Sequence, residues 1–259
     1  MVFVRYNKMN SAVTEVCMRR FYALKENLTG TTVLFDRAES AHICRVLRLE
    51  PGEQILVCDG SGMDYECTLT ACGEKCAARI ERCFQNKNEP QTELVLFQSV
   101  IKNEKMDFVI QKAAELGISR IVPVLTERTV VKITPEEAHK QARWQKIALE
   151  ACKQCGRSKV PAIEPVCTFQ SAVEKRSQYP LKLTAYEEEK SVSIAKAVRK
   201  SQSAAYFIGP EGGITEAEHK SLENAGAVSV SLGRRILRAE TAAIVAGAVI
   251  LCLMGEMDV

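Results

Sequence analysis

The chain has 259 residues, 46% of them hydrophobic and 26% charged, with a formal net charge of +3. These values suit one large or two smaller folded domains, exclude an intrinsically disordered chain, and give no overall basic excess that would by itself mark a nucleic-acid binder. The longest apolar stretch, 242 to 254, falls short of the ~18 residues of a membrane span, and no secretory signal pattern opens the chain, so the 11 cysteines read as reduced thiols of a cytoplasmic protein without a membrane partner.

Residues 1 to 17 read as an N-terminal extension, a frayed tail with Met18 as an alternative start. Short strands follow at Thr32 to Phe35, Gln54 to Asp59, Tyr65 to Ala71 and Cys76 to Cys83, with turns at Pro51-Gly52, Gly60-Ser61-Gly62 and Gly73. That spacing predicts a small β-barrel over residues 18 to 88. Ser40 to Leu49 is helix-like and carries Arg45 and Arg48. The polar segment Asn86 to Pro90 marks a domain boundary, with a second domain from 89 to 259.

That second domain opens with a βαβ unit: strand Glu93 to Val100, helix Met106 to Leu116 stopped by Gly117, and strand Arg120 to Leu125. Thr134 caps a third helix, with Pro135 in its first turn and Glu137 at the box position, running to Cys155. Arg128 to Lys159 holds eight Lys/Arg against three Glu, a local +5 that could contact phosphates or simply form a solvated face. Strand Leu181 to Tyr186 and helix Ser193 to Lys200 continue an alternation that predicts a mostly parallel sheet in an α/β domain. Neither Cys72/Cys76 nor Cys152/Cys155 has a second spaced Cys/His pair, so no metal is expected. His42, His139 and His219 are scattered, and His219 reads as a solvated helical residue.

Two loops near the C-terminus carry the most information. Gly209-Pro210-Glu211-Gly212-Gly213 leaves the apolar run Ala204 to Ile208 and leads into a capping box formed by Thr215 and Glu218. Leu232-Gly233-Arg234-Arg235-Ile236-Leu237-Arg238 leaves Val228 to Val230 and enters an apolar helix near Glu240-Thr241. If the two strands are parallel neighbours, both loops emerge at the carboxyl edge of one sheet, where open α/β sheets bind ligands. Neither loop has the Gly-Lys-Ser/Thr or GxGxxG string of a phosphate cradle.

The strings IGPEGGITEAE and LGRRILRAETA resemble the knot-forming loops of the SPOUT methyltransferase superfamily, and in detail those of its RsmE family. Further matching strings are Met18-Arg19-Arg20-Phe21-Tyr22, VLRL followed by PGE, Lys105-Met106-Asp107, Gln111 to Gly117, Thr126-Glu127-Arg128, Arg143-Trp144-Gln145-Lys146 and Gln154-x-Gly156-Arg157. The resemblance covers about residues 18 to 254, departing at Cys155, where many members have serine. It implies a PUA-like RNA-binding barrel followed by a trefoil-knotted, mostly parallel sheet, whereas strand rules alone give an unknotted doubly wound domain. It also implies a homodimer, with Thr241 to Leu253 at the interface. The implied activity is methyl transfer from S-adenosylmethionine to ring nitrogen 3 of a uridine in 16S ribosomal RNA of the small subunit.

Such a transfer is an in-line displacement, so the protein supplies alignment and desolvation and needs no metal. By resemblance the methyl donor lies against Tyr186, Glu187, Ile208, Gly209, Pro210, Glu211, Gly212, Gly213, Leu232, Gly233, Ile236 and Leu237. Arg238 is the candidate for stabilising charge on the uracil, and Glu127, Glu211 and Glu240 are the carboxylates from which a base would come, Glu211 and Glu240 equally suiting helix N-terminal charges. Arg19, Arg20, Arg45, Arg48, Arg128, Arg157, Arg234 and Arg235 are candidate RNA contacts. Two other readings remain: a methyltransferase acting on transfer RNA or large-subunit RNA, and a non-catalytic RNA-binding protein.

Overall fold

The computed structural model describes residues 18–130 and 137–258. The segment 1 to 17, and the capping residues Thr134 and Pro135, lie outside the described residues. The first sheet contains β1 (Arg19–Tyr22), β2 (Leu28–Thr29), β3 (Thr32–Leu34), β4 (Gln54–Cys58), β5 (Met63–Ala71) and β6 (Ala77–Gln85), in the order β1-β4-β5-β6-β3-β2. All its pairings are antiparallel except β1 with β4. Phe21 of β1 and Phe35 just after β3 pack edge to face with ring centroids 6.1 Å apart. In a flat sheet those two strands would be separated by four spacings, about 19 Å. The sheet is therefore rolled around one core, which includes Phe21, Val33, Ile43, Ile55 and Leu69, although no hydrogen-bonded ladder joins β1 to β2. The helical insert begins before Ser40: α1 (Arg37–Ala41), capped by the Asp36 side chain, runs into a π-helical turn over His42–Val46.

The second sheet is wholly parallel. It contains β7 (Glu93–Ser99), β8 (Arg120–Leu125), β9 (Ala162–Ile163), β10 (Cys167–Thr168), β11 (Leu181–Ala185), β12 (Ser203–Ile208) and β13 (Val228–Val230), in the order β10-β8-β7-β12-β11-β13, with β9 also on β8. Six helices cover it: α2 (Asn103–Leu116), α3 (Glu137–Cys155), α4 (Phe169–Arg176), α5 (Ile194–Ala197), α6 (Glu216–Asn224) and α7 (Ala239–Met254). Strand alternation divides the core. Leu94, Leu96 and Tyr206 face α2, α3 and α7, while Val95, Phe97 and Phe207 face α4 and α6. Several features differ from the sequence expectation, among them the short strands β9 and β10, which had no predicted counterpart. The helix expected to reach Lys200 ends at Ala197, because Val198 is extended with ψ 130, and α4, capped by Thr168, fills a stretch that had no predicted element.

A buried polar seam joins the two sheets. Arg20 donates to both oxygens of Asp64 at 2.6 and 2.8 Å and to the Gly156 carbonyl at 3.1 Å. Asn86 Nδ2 reaches Asp64, Gly156 O and Ser158 Oγ within 2.9 Å. Glu89 pairs with Arg157 at 3.1 Å and accepts from the amides of Ser158 and Lys159 at 2.7 Å. Each charged group in the seam has an opposite charge and further hydrogen bonds, the condition under which buried ions are tolerated. The seam fixes the rolled sheet against the loop that follows α3.

Candidate functional site

Strands β12 and β13 are not neighbours: β11 lies between them and pairs with both. The carboxyl ends of three adjacent strands therefore open at one sheet edge, and the loop after β11 becomes a third wall of the cleft. Backbone bonds lock this third loop to the last one. Tyr186 N donates to Val230 O, Ser231 N to Val192 O and Ile194 N to Ser231 O, at 2.8 to 3.1 Å. Glu189 closes the turn by accepting from Ser191 Oγ and from the amides of Ser191 and Val192. The Ser191 hydroxyl, followed by these amides, holds its carboxyl down to about 2.

The resulting cleft has a volume of about 1490 Å³. Its first wall is the glycine loop, where Gly213 has φ +70 and packs so closely on Glu187 that any Cβ there would run into Glu187 Oε1. Gly233 in the last loop has φ +113 and nothing within 4 Å of where a side chain would stand, so that wall stays open to a ligand. Lys105 on α2 bridges Glu211 of the glycine loop at 3.5 Å and Glu240 of α7 at 3.3 Å, joining the two. Arg128 donates to the Gly212 carbonyl at 3.0 Å, and the Glu127 amide donates to Glu218 Oε1 at 2.9 Å. The stretch Thr126 to Arg128 thus braces the glycine loop from behind.

The donors left over define what the cleft can hold. Among the described residues, the backbone amides of 234 to 238 have no hydrogen-bond partner within the chain, and neither do the side chains of Arg234, Arg235 and Arg238. Arg238 is the N-cap residue of α7 but supplies no side-chain cap, leaving that helix's positive end facing the cleft. Ile236 is 87% exposed at the same rim, an apolar surface without cover. Free amides, small backbone and an apolar rim suit a flat heterocycle with polar edges. The cationic side suits an acidic or anionic partner.

A family model for an RNA methyltransferase domain matches residues 87–251, and one for an RNA methyltransferase PUA domain matches residues 35–80. Ribosomal RNA small subunit methyltransferase E of Bacillus subtilis (strain 168) is 33% identical over 213 residues, spanning 79% of this chain and 83% of that protein. The chain belongs to the ribosomal RNA small subunit methyltransferase E family. The relative of that name in Synechocystis is 32% identical over 94% of this chain and 80% of its own length. A solved structure of the Neisseria gonorrhoeae member bound to S-adenosyl methionine has a TM-score of 0.84 and 36% identity, covering 91% of this chain and 98% of that one.

Within this family framework the residues expected from sequence separate into two groups. Tyr186 and Glu187, then Ile208, Gly209, Pro210, Glu211, Gly212 and Gly213, then Leu232, Gly233, Ile236 and Leu237 all line the one cleft, with Arg234, Arg235 and Arg238. Arg20 and Arg157 do not reach an RNA surface: their side chains are only 9% and 5% exposed, in the seam described above. Arg19, Arg45 and Arg48 are exposed on the rolled sheet, and Arg48 adopts φ 52. Glu127 is exposed behind the glycine loop and is not part of the cleft lining, and Glu211 and Glu240 are both engaged by Lys105. His219 is not a solvated residue. Its ring stacks on Tyr186 with centroids 3.8 Å apart, and Nε2 lies 2.6 Å from Ser229 Oγ. Lys105 lines the cleft and His219 packs on its wall residue Tyr186; neither was expected there, because each meets its partners across the fold, where chain spacing gives no signal.

Proposed function

We propose that this protein uses the three-loop cleft to bind S-adenosylmethionine and transfers its methyl group to nitrogen 3 of a uridine in 16S ribosomal RNA of the small subunit. The observation that carries this reading is the convergence of unpartnered amides and unpaired arginines in one cleft of a chain whose relatives bear the name of small-subunit ribosomal RNA methyltransferases. The donor's residues would be the free amides of 234 to 238, the glycine loop, and the apolar side chains Ile208, Leu232 and Leu237. When bound, the sulfonium supplies an electrophilic methyl group. The chain's own residues must then align a uracil and stabilise the negative charge that spreads onto its oxygens when the ring nitrogen loses its proton.

That stabilisation falls to Arg238 and the N-terminus of α7, which has no side-chain cap. Arg234 and Arg235 are suited to hold the RNA backbone beside the cleft, with Arg45 and Arg48 on the rolled sheet extending the contact. Lys105 holds Glu211 and Glu240 in ion pairs, which argues for a structural role of both carboxylates over a role as base.

The same reading includes a trefoil knot, a homodimer and a cytoplasmic setting. For the knot, the support is that the chain leaves the edge strand β13 and returns in α7 to pack on α2, β7 and β12, passing the β11 to β12 connection that includes α5. For the homodimer, the outward positions of α7 are Ile244, Val245, Ala248, Val249, Cys252 and Leu253, an apolar face only partly covered. No described helix is long and apolar enough to cross a membrane. Nucleoside mass spectrometry of small-subunit RNA incubated with the protein and S-adenosylmethionine should show new 3-methyluridine. Methylation confined to another nucleoside, or to another RNA, would replace this assignment.

A further inference from the structure

Three cysteines that stand apart in sequence meet on the rolled sheet, and none of them lines the cleft. Cys44 comes from the π-helical turn His42–Val46, and Cys72 and Cys76 bracket the tight loop between β5 and β6. Their sulfur atoms all lie within 4.8 Å of one another, with Cys44 Sγ and Cys76 Sγ at 3.1 Å. Cys76 is buried and the other two are half-buried. A π-turn displaces a helical residue from its normal row and recurs at functional positions. Here that displacement aims Cys44 at the loop.

We propose that Cys44, Cys72 and Cys76 form a site for a single thiophilic metal ion, with zinc as its occupant and water as the fourth ligand. Tetrahedral zinc with sulfur ligands at about 2.3 Å requires sulfur atoms about 3.8 Å apart. All three sulfurs lie within 4.8 Å of one another, and rotation of the Cys44 side chain away from Cys76, from which its sulfur is now 3.1 Å distant, opens that pair toward the separation zinc needs. A disulfide between Cys44 and Cys76 would use only two of the three sulfurs and leave Cys72 without a role. The surroundings favour a cation. Carbonyl oxygens of Ser40 and Gly73 face the sulfurs at 3.7 to 4.0 Å. Metal binding releases the thiol protons to solvent as the three thiolates take the ion.

The ion would tie the π-turn to the hairpin loop and fix the backbone between the exposed Arg45 and Arg48 and the rolled sheet. Three soft thiolates select zinc or copper(I) over hard cations. The spacing Cys72-x-x-x-Cys76 alone carries no such signal, because the third ligand is supplied 28 residues upstream, the difference between positions 72 and 44.

Cobalt(II) is the probe for the full-length protein, reduced and stripped of metal under anaerobic conditions. The expected result is one cobalt per chain, with thiolate-to-metal absorption in the near ultraviolet and visible bands of four-coordinate geometry, displaced by zinc. Cys44→Ser and Cys72→Ser should each abolish those bands, and Cys83→Ser, at an exposed position on β6, should keep them. Zinc should also shield Cys44 from alkylation in the unaltered protein, while exposed Cys83 remains reactive; this arm is independent of how the variants fold. No stoichiometric cobalt, an unchanged spectrum in Cys44→Ser, equal alkylation with and without zinc, or a Cys44–Cys76 disulfide in protein isolated without reductant would each overturn the site.

Discussion

Arginine occupies two opposite settings in this molecule. In the seam between the sheets, the Arg20 and Arg157 side chains are almost fully enclosed and hydrogen-bonded on several sides: Arg20 to Asp64, Gly156 O and Ser158 Oγ, Arg157 to Glu89, Ala114 O and Ile118 O. In the cleft, Arg234, Arg235 and Arg238 are exposed and have no partner among the described residues. The same side chain fixes one region and leaves the other unfinished. Partner count, rather than residue type, separates a frame residue from a binding residue, because a guanidinium that is already satisfied gains little from an RNA phosphate and loses its frame when it moves.

The contrast breaks first in the seam. Removing Asp64 with Asp64→Ala leaves Arg20 buried without its carboxylate, and urea denaturation should show a loss of about 3–5 kcal/mol. A loss below 1 kcal/mol would mean that the seam is hydrated rather than structural. The next largest effect belongs to the cleft. Arg238→Ala should lower the single-turnover methyl-transfer rate by about 10²- to 10³-fold, the range for removing one donor to developing charge, with stability within about 0.5 kcal/mol of the parent. An unchanged rate constant would refute its role.

Gly213→Ala comes third. It forces a side chain into a left-handed backbone at a cost of about 1–2 kcal/mol and pushes Glu187 aside. S-adenosylmethionine affinity should fall by about tenfold, equivalent to about 1.4 kcal/mol. Adding Glu187→Ala should recover only part of that loss, since it relieves the clash and not the backbone strain. Smallest is the effect of Arg235→Ala, which should reduce the salt dependence of RNA binding by about one unit of log-log slope and leave cofactor affinity alone. An unaltered slope would remove Arg235 from the RNA surface.

Much of the architecture was legible because it is written in local spacing. The capping box at Thr215 and Glu218, the strand at Arg120–Leu125 and the two glycine-bearing loops were each readable from a few adjacent residues, and the structure shows the box with both of its bonds. What stayed hidden was placement across the sheet. Nothing in the runs around Ile208 and Val230 tells that β11 separates them, since strand order is decided by where each helix returns. Arg20 and Arg157 carried family strings without carrying their burial, because their partners Asp64 and Glu89 come from other segments. The cysteine triangle was hidden for the same reason, with Cys44 supplied by a π-turn that has no periodic signature.

The central claim is that the three-loop cleft is a methyl-donor site served by unpaired arginines. Its most direct test is calorimetric titration of S-adenosylmethionine into the full chain and into Arg238→Ala. The account predicts one binding site per chain, with affinity retained in the variant. No binding to the parent protein, while small-subunit RNA still binds, would contradict it and leave an RNA-binding protein without this chemistry.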